Sequence, residues 1–259
     1  MNKESALQTL LTPETKVVYT LPVDKGDNVL VISPHPDDET IGCGGAIIKI
    51  LSSAINVEVV ILTDGEGGGR IKDIGRIRKK EFFNARSVLG FSAFEILNYP
   101  DGQLTEHQRE LGEKIYRILF KQAPKLILLP YILDYHVDHQ SANLSLAHAL
   151  SIASPFNTII GMYEIWTPIT NPNCYLNITE EYSKKRMAME CYQSQENYFG
   201  IIDKAEALAS FRAKLLQKRR VKYVECFKLL EAKNYIELIE AWKTVQHQEK
   251  GSEIKYAVY

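Results

Sequence analysis

The run Pro34-His35-Pro36-Asp37-Asp38-Glu39 sets one imidazole beside three carboxylates in a single short stretch. Imidazole nitrogen and carboxylate oxygen together suit a borderline divalent metal. His35 and Asp38 stand three residues apart on a turn entering a helix, so both can converge on one ion. Asp37, between them, then points elsewhere and is free for proton transfer. The same acids would also serve as a helix cap, because Asp accepts N-terminal N–H groups and complements the helix dipole. A second run, His136-Val137-Asp138-His139, holds two of the chain's six histidines around an acid. Together the runs offer His35, Asp38 and His139, with a fourth position open to water. That is the form of a catalytic zinc site, not of a closed structural one.

Hydrophobic patterning shows what must position these residues. Asn28–Ser33 (NVLVIS) reads as a buried strand, 40–53 as a helix, and Val57–Thr63 as a second strand. The flexible loop DGEGGG follows, then a helix over 76–89 ended by Gly90. A strand over 94–99, a helix over 106–122 and a strand over 126–129 continue the alternation. Unbroken strand–helix alternation specifies an α/β fold, a Rossmann-like, mostly parallel sheet with helices on both faces. In such sheets the ligand lies beyond the carboxyl ends of the strands. SPHPDDE, TDGEGGG and PYILDYHVDH all fall at those ends, so distance in sequence conceals a cluster in space. Further on, 158–166 and 175–178 read as strands, 180–194 as a helix capped by Thr179, and 203–245 as helical by composition. The expected organisation is an N-terminal arm over 1–27, a domain over 28–230, and a helical extension of that domain over 231–259.

Composition narrows the function. The 259 residues are 45% hydrophobic and 24% charged, with a formal net charge of -1. That is globular composition with no basic field to draw in nucleic acid or an anionic membrane. Four scattered cysteines make neither a disulfide scaffold nor a thiolate zinc knuckle, so reduced, mostly buried thiols are expected. No signal-peptide h-region and no run of ~18 apolar residues stands out, which points to a soluble cytoplasmic chain. Gly42-Cys43-Gly44-Gly45 is not a dinucleotide fingerprint, since Ile47 stands where the third glycine would be.

The sequence resembles the LmbE-like (PIG-L) zinc-dependent N-deacetylases. HPDDETIGCGG, TDGEGG, RIRKKEFFNARSVLG, NYPDGQL, HVDH, YEIWTP, KKRMAMECYQSQ and YVECF occur in that family's order, from about Val29 to Phe227. One departure is LDYHVDHQ, where the family often has a Gly-rich approach and a Pro inside the motif. The resemblance implies the LmbE-like fold and a hydrolase that removes acetyl from an N-acetylglucosamine unit. It further implies that His35, Asp38 and His139 hold zinc, or ferrous iron in some members, and that Asp37 is the general base. His136 matches the residue that stabilises the oxyanion or protonates the leaving amine, with Asp138 orienting it.

Weaker features take roles by position. Asp101 in Tyr99-Pro100-Asp101-Gly102 sits in a turn sequence and, with Arg70 and Glu66 of the glycine loop, is a candidate contact for a polar substrate. Trp166 and Tyr163 could wall a sugar site or belong to the core, and Arg78 with Glu81 reads as a surface ion pair. The expected partner is a small soluble N-acetylated amino-sugar glycoside, thiol-precursor or aminoglycoside-like; the oligomeric state, a homo-oligomer included, is open. Two other readings compete: a two-metal phosphoester hydrolase, and a non-catalytic zinc-bound sugar-binding protein. One ion per chain would disfavour the first, and the presence of Asp37 and His136, which a bare ligand site would not need, speaks against the second.

Overall fold

Side-chain alternation along the first strand builds two cores at once. In the computed structural model, which describes residues 16–152 and 157–249, β1 spans Asn28–Ser33. Val29 and Val31 face one core, Leu30 and Ile32 the other, as the two-residue period of a strand requires. β2 (Asn56–Thr63), β3 (Ala93–Tyr99), β4 (Leu126–Pro130) and β5 (Ile159–Tyr163) join β1 in parallel register. β6 (Cys174–Asn177) and β7 (Val224–Glu231) complete a seven-stranded sheet in the order β3-β2-β1-β4-β5-β7-β6. β7 runs antiparallel to both its neighbours.

Helices cover both faces. Against one core lie α1 (Asp38–Ser52), α2 (Ile74–Leu89), α5 (Tyr182–Met189), α6 (Gln193–Phe199) and α7 (Ile201–Leu215). Against the other lie α3 (Gln108–Gln122), α4 (Val137–Ile152) and α8 (Ala232–Glu249), whose Tyr235, Leu238 and Ile239 are fully buried there. The strand order reverses between β1 and β4, and such a switch point opens a crevice beyond the carboxyl ends of the strands. The chain enters this crevice at His35, directly after β1, and again in the loop from β4 to α4.

Three parts of the sequence reading are corrected. First, β7 interrupts the stretch 203–245 that reads as helical. Its strand signal is masked because Glu225 and Lys228 are buried among its apolar residues. Glu225 finds partners: its oxygens accept the Gly45 and Ala46 N–H groups, each at 2.8 Å, and the Lys185 ammonium at 2.7 Å. Those contacts clamp α1 just past its kink at Cys43. Second, the helix over 180–194 is two helices, α5 and α6, broken between Met189 and Gln193. The Thr179 hydroxyl does not cap α5; it donates to Asn177 Oδ1 at 2.7 Å and accepts the Lys222 N–H at 2.9 Å. Third, Leu104–His107 is a 3-10 turn that precedes α3.

Within the expected arm, Val18 bridges to Cys174, donating its N–H to Asn173 O at 2.8 Å. Residues 1–15 and 250–259 of the expected arm and extension lie outside the described residues. The four cysteines are unpaired, three of them buried.

Candidate active site

Asp37 is held in a conformation that L-residues rarely adopt, at φ 130° and ψ −30°. Such backbone costs of order 1–3 kcal/mol and persists only where its surroundings over-determine it. Here they do. Glu39, fully buried, accepts the Asp37 N–H at 3.1 Å, while its other oxygen accepts the Tyr192 hydroxyl at 2.6 Å and that of Thr40 at 2.7 Å. The Ser33 hydroxyl ties the end of β1 to the same turn, donating to His35 O at 2.7 Å and accepting the Glu39 N–H at 3.1 Å. Arg78 reaches in from α2 and donates to Asp37 Oδ1 at 3.1 Å and Pro36 O at 3.0 Å. Burial pushes the Asp37 carboxyl up to about 7, against the pull of the Arg78 guanidinium.

Arg78 is therefore no surface residue. It is 3% exposed, and its second amino group donates to Gly65 O at 3.2 Å and Asp101 Oδ2 at 3.3 Å. One guanidinium thus joins the loops after β1, β2 and β3, a task for which its planar set of donors is suited. A Cβ on Gly68 would collide with it, which is why that loop position is glycine. Glu81 pairs with Ser194 instead, accepting its N–H at 2.8 Å and its hydroxyl at 2.6 Å. Both residues lie on the buried side of α2, so the fold buries each separately where spacing suggests a surface pair.

Asp38 Oδ2 lies 3.0 Å from His35 Nδ1 and 3.2 Å from His139 Nε2. Burial alone would raise this carboxyl, but the His139 and His35 imidazoles hold it well below the usual range. The second ring nitrogen of His139 faces Asp134, with Nδ1 3.2 Å from Oδ1. Sequence reasoning passed over Asp134; its one signal is an acid two places before His136 in LDYHVDH. Its Oδ1 also accepts the His136 N–H at 3.1 Å, and its Oδ2 accepts the N–H groups of Trp166 and Thr167 at 2.9 and 3.0 Å.

The Asp138 carboxylate is turned away from His136. It accepts the Gly102 N–H at 2.7 Å and the Leu104 N–H at 3.0 Å, and lies 3.1 Å from His35 Nε2. The physical reason is the start of α4, where His136 is itself the cap. Its Nδ1 accepts the Asp138 N–H at 3.2 Å, and the Asp138 side chain then turns toward the loop after β3. Because Nδ1 accepts, the ring proton of neutral His136 sits on Nε2. Burial, and then the His35 and His139 rings, push His136 down to about 4.

Of these groups His35, Asp37, Asp38, Arg78 and His136 line a cavity of about 230 Å³. Asp101 is part of it, with Oδ1 3.1 Å from His35 Nε2 and Oδ2 accepting the Gly67 N–H at 3.0 Å. Gln195, buried, donates to Gly68 O at 3.0 Å, and Trp166 and Phe199 stand at one side. Glu66 and Arg70 are exposed and do not line it. The loop is pinned through Gly67 and Gly68, and Glu66 turns toward the start of α2 at Gly75. Tyr163 is fully buried with its hydroxyl on Ile32 O at 2.9 Å, so it is core.

Residues 30–150 match the family described as PIG-L: GlcNAc-PI de-N-acetylase. Over that stretch, just under half of the chain, the sequence is similar to the PIG-L/LmbE-like deacetylases. Diacetylchitobiose deacetylase of Thermococcus kodakarensis is 29% identical over 199 residues, 67% of this chain and 72% of that protein. A probable N-acetyl-alpha-D-glucosaminyl L-malate deacetylase 2 of Bacillus anthracis is 27% identical over 184 residues, 65% of this chain and 81% of the other. Among solved structures, N,N'-diacetylchitobiose deacetylase from Pyrococcus horikoshii, complexed with its inhibitor MPG, superimposes with a TM-score of 0.70 at 25% identity. The match covers 81% of this chain and 85% of that one.

The site fits a divalent ion on its own chemistry. The ligand atoms of His35, His136 and His139 lie within 4.8 Å of one another, as do those of His35, Asp101 and Asp138. His139 is fully buried with Nδ1 toward Asp134, which leaves Nε2, beside Asp38 Oδ2, as its donor to a metal. If Asp134 sets the orientation of His139, Asp134→Ala should weaken metal retention by ~10–100-fold in competition with a chelator, the usual cost of losing an outer-shell partner. Unchanged retention would reduce Asp134 to a tether for the Trp166 loop.

Proposed function

We propose that this chain is a metal-dependent hydrolase that removes the acetyl group from an N-acetylglucosamine-type unit of a small glycoside. The observation that carries this reading is the convergence of His35 and His139 on Asp38 Oδ2 beside a separately anchored Asp37. His35, Asp38 and His139 are the assigned metal ligands, with zinc the expected ion and ferrous iron the alternative. A divalent ion held there acidifies water, lowering its pKa toward ~7, and polarises the amide carbonyl.

The chain's own residues supply the rest. Asp37, fixed through Oδ1 to Arg78, accepts the proton lost as water oxygen bonds to the amide carbon. It delivers that proton to the departing nitrogen as the C–N bond breaks, leaving acetate and a free amine. His136, whose Nδ1 accepts the Asp138 N–H, presents Nε2 and donates to the developing oxyanion or to the departing amine. Asp101 lies where a sugar hydroxyl can be bound, and Asp138 positions His35 and the loop after β3.

Two measurements test this. Acetate and amine should appear in equal amounts from N-acetylglucosaminides, with no phosphate released from phosphate esters. Phosphate release without acetate would favour the phosphoesterase reading. His136→Ala should keep its metal and lose roughly two to three orders of magnitude in kcat, the scale for one oxyanion donor. Loss of metal in that variant would make His136 a ligand, and a kcat within a few-fold of the parent would make it a bystander.

A further inference from the structure

Helix α1 is broken at Cys43, whose φ of −141° and ψ of 23° are not helical. In an unbroken helix the Gly45 N–H would donate to Ile41 O, four residues back, and the Ala46 N–H to Gly42 O. Two buried side chains from distant parts of the chain stand in that gap instead. Glu225 Oε1 accepts the Gly45 N–H and Glu225 Oε2 the Ala46 N–H, each at 2.8 Å. The Lys185 ammonium donates to Ile41 O at 2.6 Å and to the same Glu225 Oε1 at 2.7 Å. One helical hydrogen bond is thus replaced by a relay, from the Gly45 N–H through carboxylate and ammonium to Ile41 O. A side chain inserted into the helical ladder is a physical cause of a kink.

The break separates two halves with different duties. The first half begins at Asp38, directly after Asp37, and it lies against β5, since a Cβ on Gly42 would collide with the Tyr163 ring. The second half packs elsewhere, with Gly45 against Ile178 and Gly44 against the Lys185 stem. The angle between the halves decides where the Asp38 carboxylate arrives relative to His35 and His139. Asp38 lies five residues before Cys43, which is ~7–8 Å along the helix axis. A change of ~10° in the bend would move it by about 1 Å, and a displacement of that size can cost ~10²-fold in rate. Stability alone does not account for a buried ion pair, because apolar residues of like volume often serve as well or better. Lys185 stands in KKRMAMECYQSQ and Glu225 in YVECF, and neither residue lines the cavity.

We infer that Lys185 and Glu225 are a positioning pair: joined across the break in α1, they set its bend and so deliver Asp38 to the two imidazoles. The inference rests on the reading of Asp38 as a metal ligand in a deacetylase. Neither side chain touches the substrate, so their loss should be felt in metal retention and kcat, not in KM.

The test is Lys185→Met combined with Glu225→Gln, a neutral pair of similar shape that leaves no buried charge unpaired. Three readouts are taken: thermal unfolding of the metal-free protein, zinc retention against a chelator, and kcat and KM for an N-acetylglucosaminide at saturating zinc. Retention and kcat should each fall by roughly 10–100-fold, the scale for residues that orient a ligand, with KM unchanged. Glu225→Gln alone keeps one acceptor oxygen for Gly45 and Lys185, and it should fall between the parent and the double variant. A lower unfolding temperature with parent-like retention and kcat would make the pair merely structural and overturn the inference. A raised KM at parent-like kcat would overturn it as well. Weaker zinc retention in the variant, with no acetate from the parent, would uphold the pair and sink the deacetylase reading. If the double variant does not fold, Glu225→Gln decides alone: weakened retention upholds the pair, and parent-like retention and kcat overturn it.

Discussion

Asp37→Asn is expected to keep its metal and fold while losing roughly 10²–10⁴-fold in kcat, the range that general-base catalysis contributes. Asparagine has nearly the shape of aspartate, and Asn and Asp are the non-glycine residues that best tolerate positive φ, as position 37 requires. Its amide oxygen can still accept from Arg78, and its N–H still meets Glu39. What disappears is the capacity to take a proton. The variant is checked by metal content and single-turnover acetate release on the same preparation. Full metal with little acetate separates base from ligand. Loss of metal comparable to that in a ligand variant would show that the roles of Asp37 and Asp38 have been exchanged.

Asp38→Ala should have the largest effect on metal. Among the described residues Asp38 Oδ2 is the one oxygen that approaches both His35 and His139, so its removal leaves two imidazoles and no anion between them. Retention should fall further than the ~10–100-fold expected on losing Asp134, since a ligand is lost and not merely its orientation. Competition with a graded series of chelators orders the three proteins as parent, Asp134→Ala, then Asp38→Ala. The reverse order for the two variants would place the ion nearer Asp134 and against this assignment.

The half of the fold that holds the candidate ligands was legible in the sequence because its physics is local. β1 to β4 are short β-branched runs separated by helices of regular apolar period, and that alternation fixes a parallel sheet and its active edge. Later elements carry their signal in tertiary pairings. β7 hides behind Glu225, whose charge is compensated by Lys185 and by two N–H groups of α1 far away in sequence. α4 is obscured for a similar reason: buried Asp138, His139, Ser141, Asn143 and Ser145 break the apolar stripe by which a helix is recognised.

The candidate site divides along the same line. His35, Asp38 and His139 declare themselves by type and spacing, and the structure brings them together. Arg78 looked like a surface cation because i,i+3 spacing says nothing of which face a helix buries. Asp138 looked like a partner of its neighbour His136, yet a residue in the first turn of a helix can send its carboxylate to another loop. Asp134 gave almost no sign, since its importance lies in joining the β4–α4 loop to the Trp166 loop, a contact between segments 32 residues apart.

The central claim is a single-metal deacetylase, and one titration meets it most directly. Metal-free protein is loaded with increasing zinc, and acetate release from an N-acetylglucosaminide is followed at each step. Activity should rise linearly from near zero and level off at one ion per chain. Acetate released equally well without metal, a plateau only at two ions, or no acetate at any loading would contradict it.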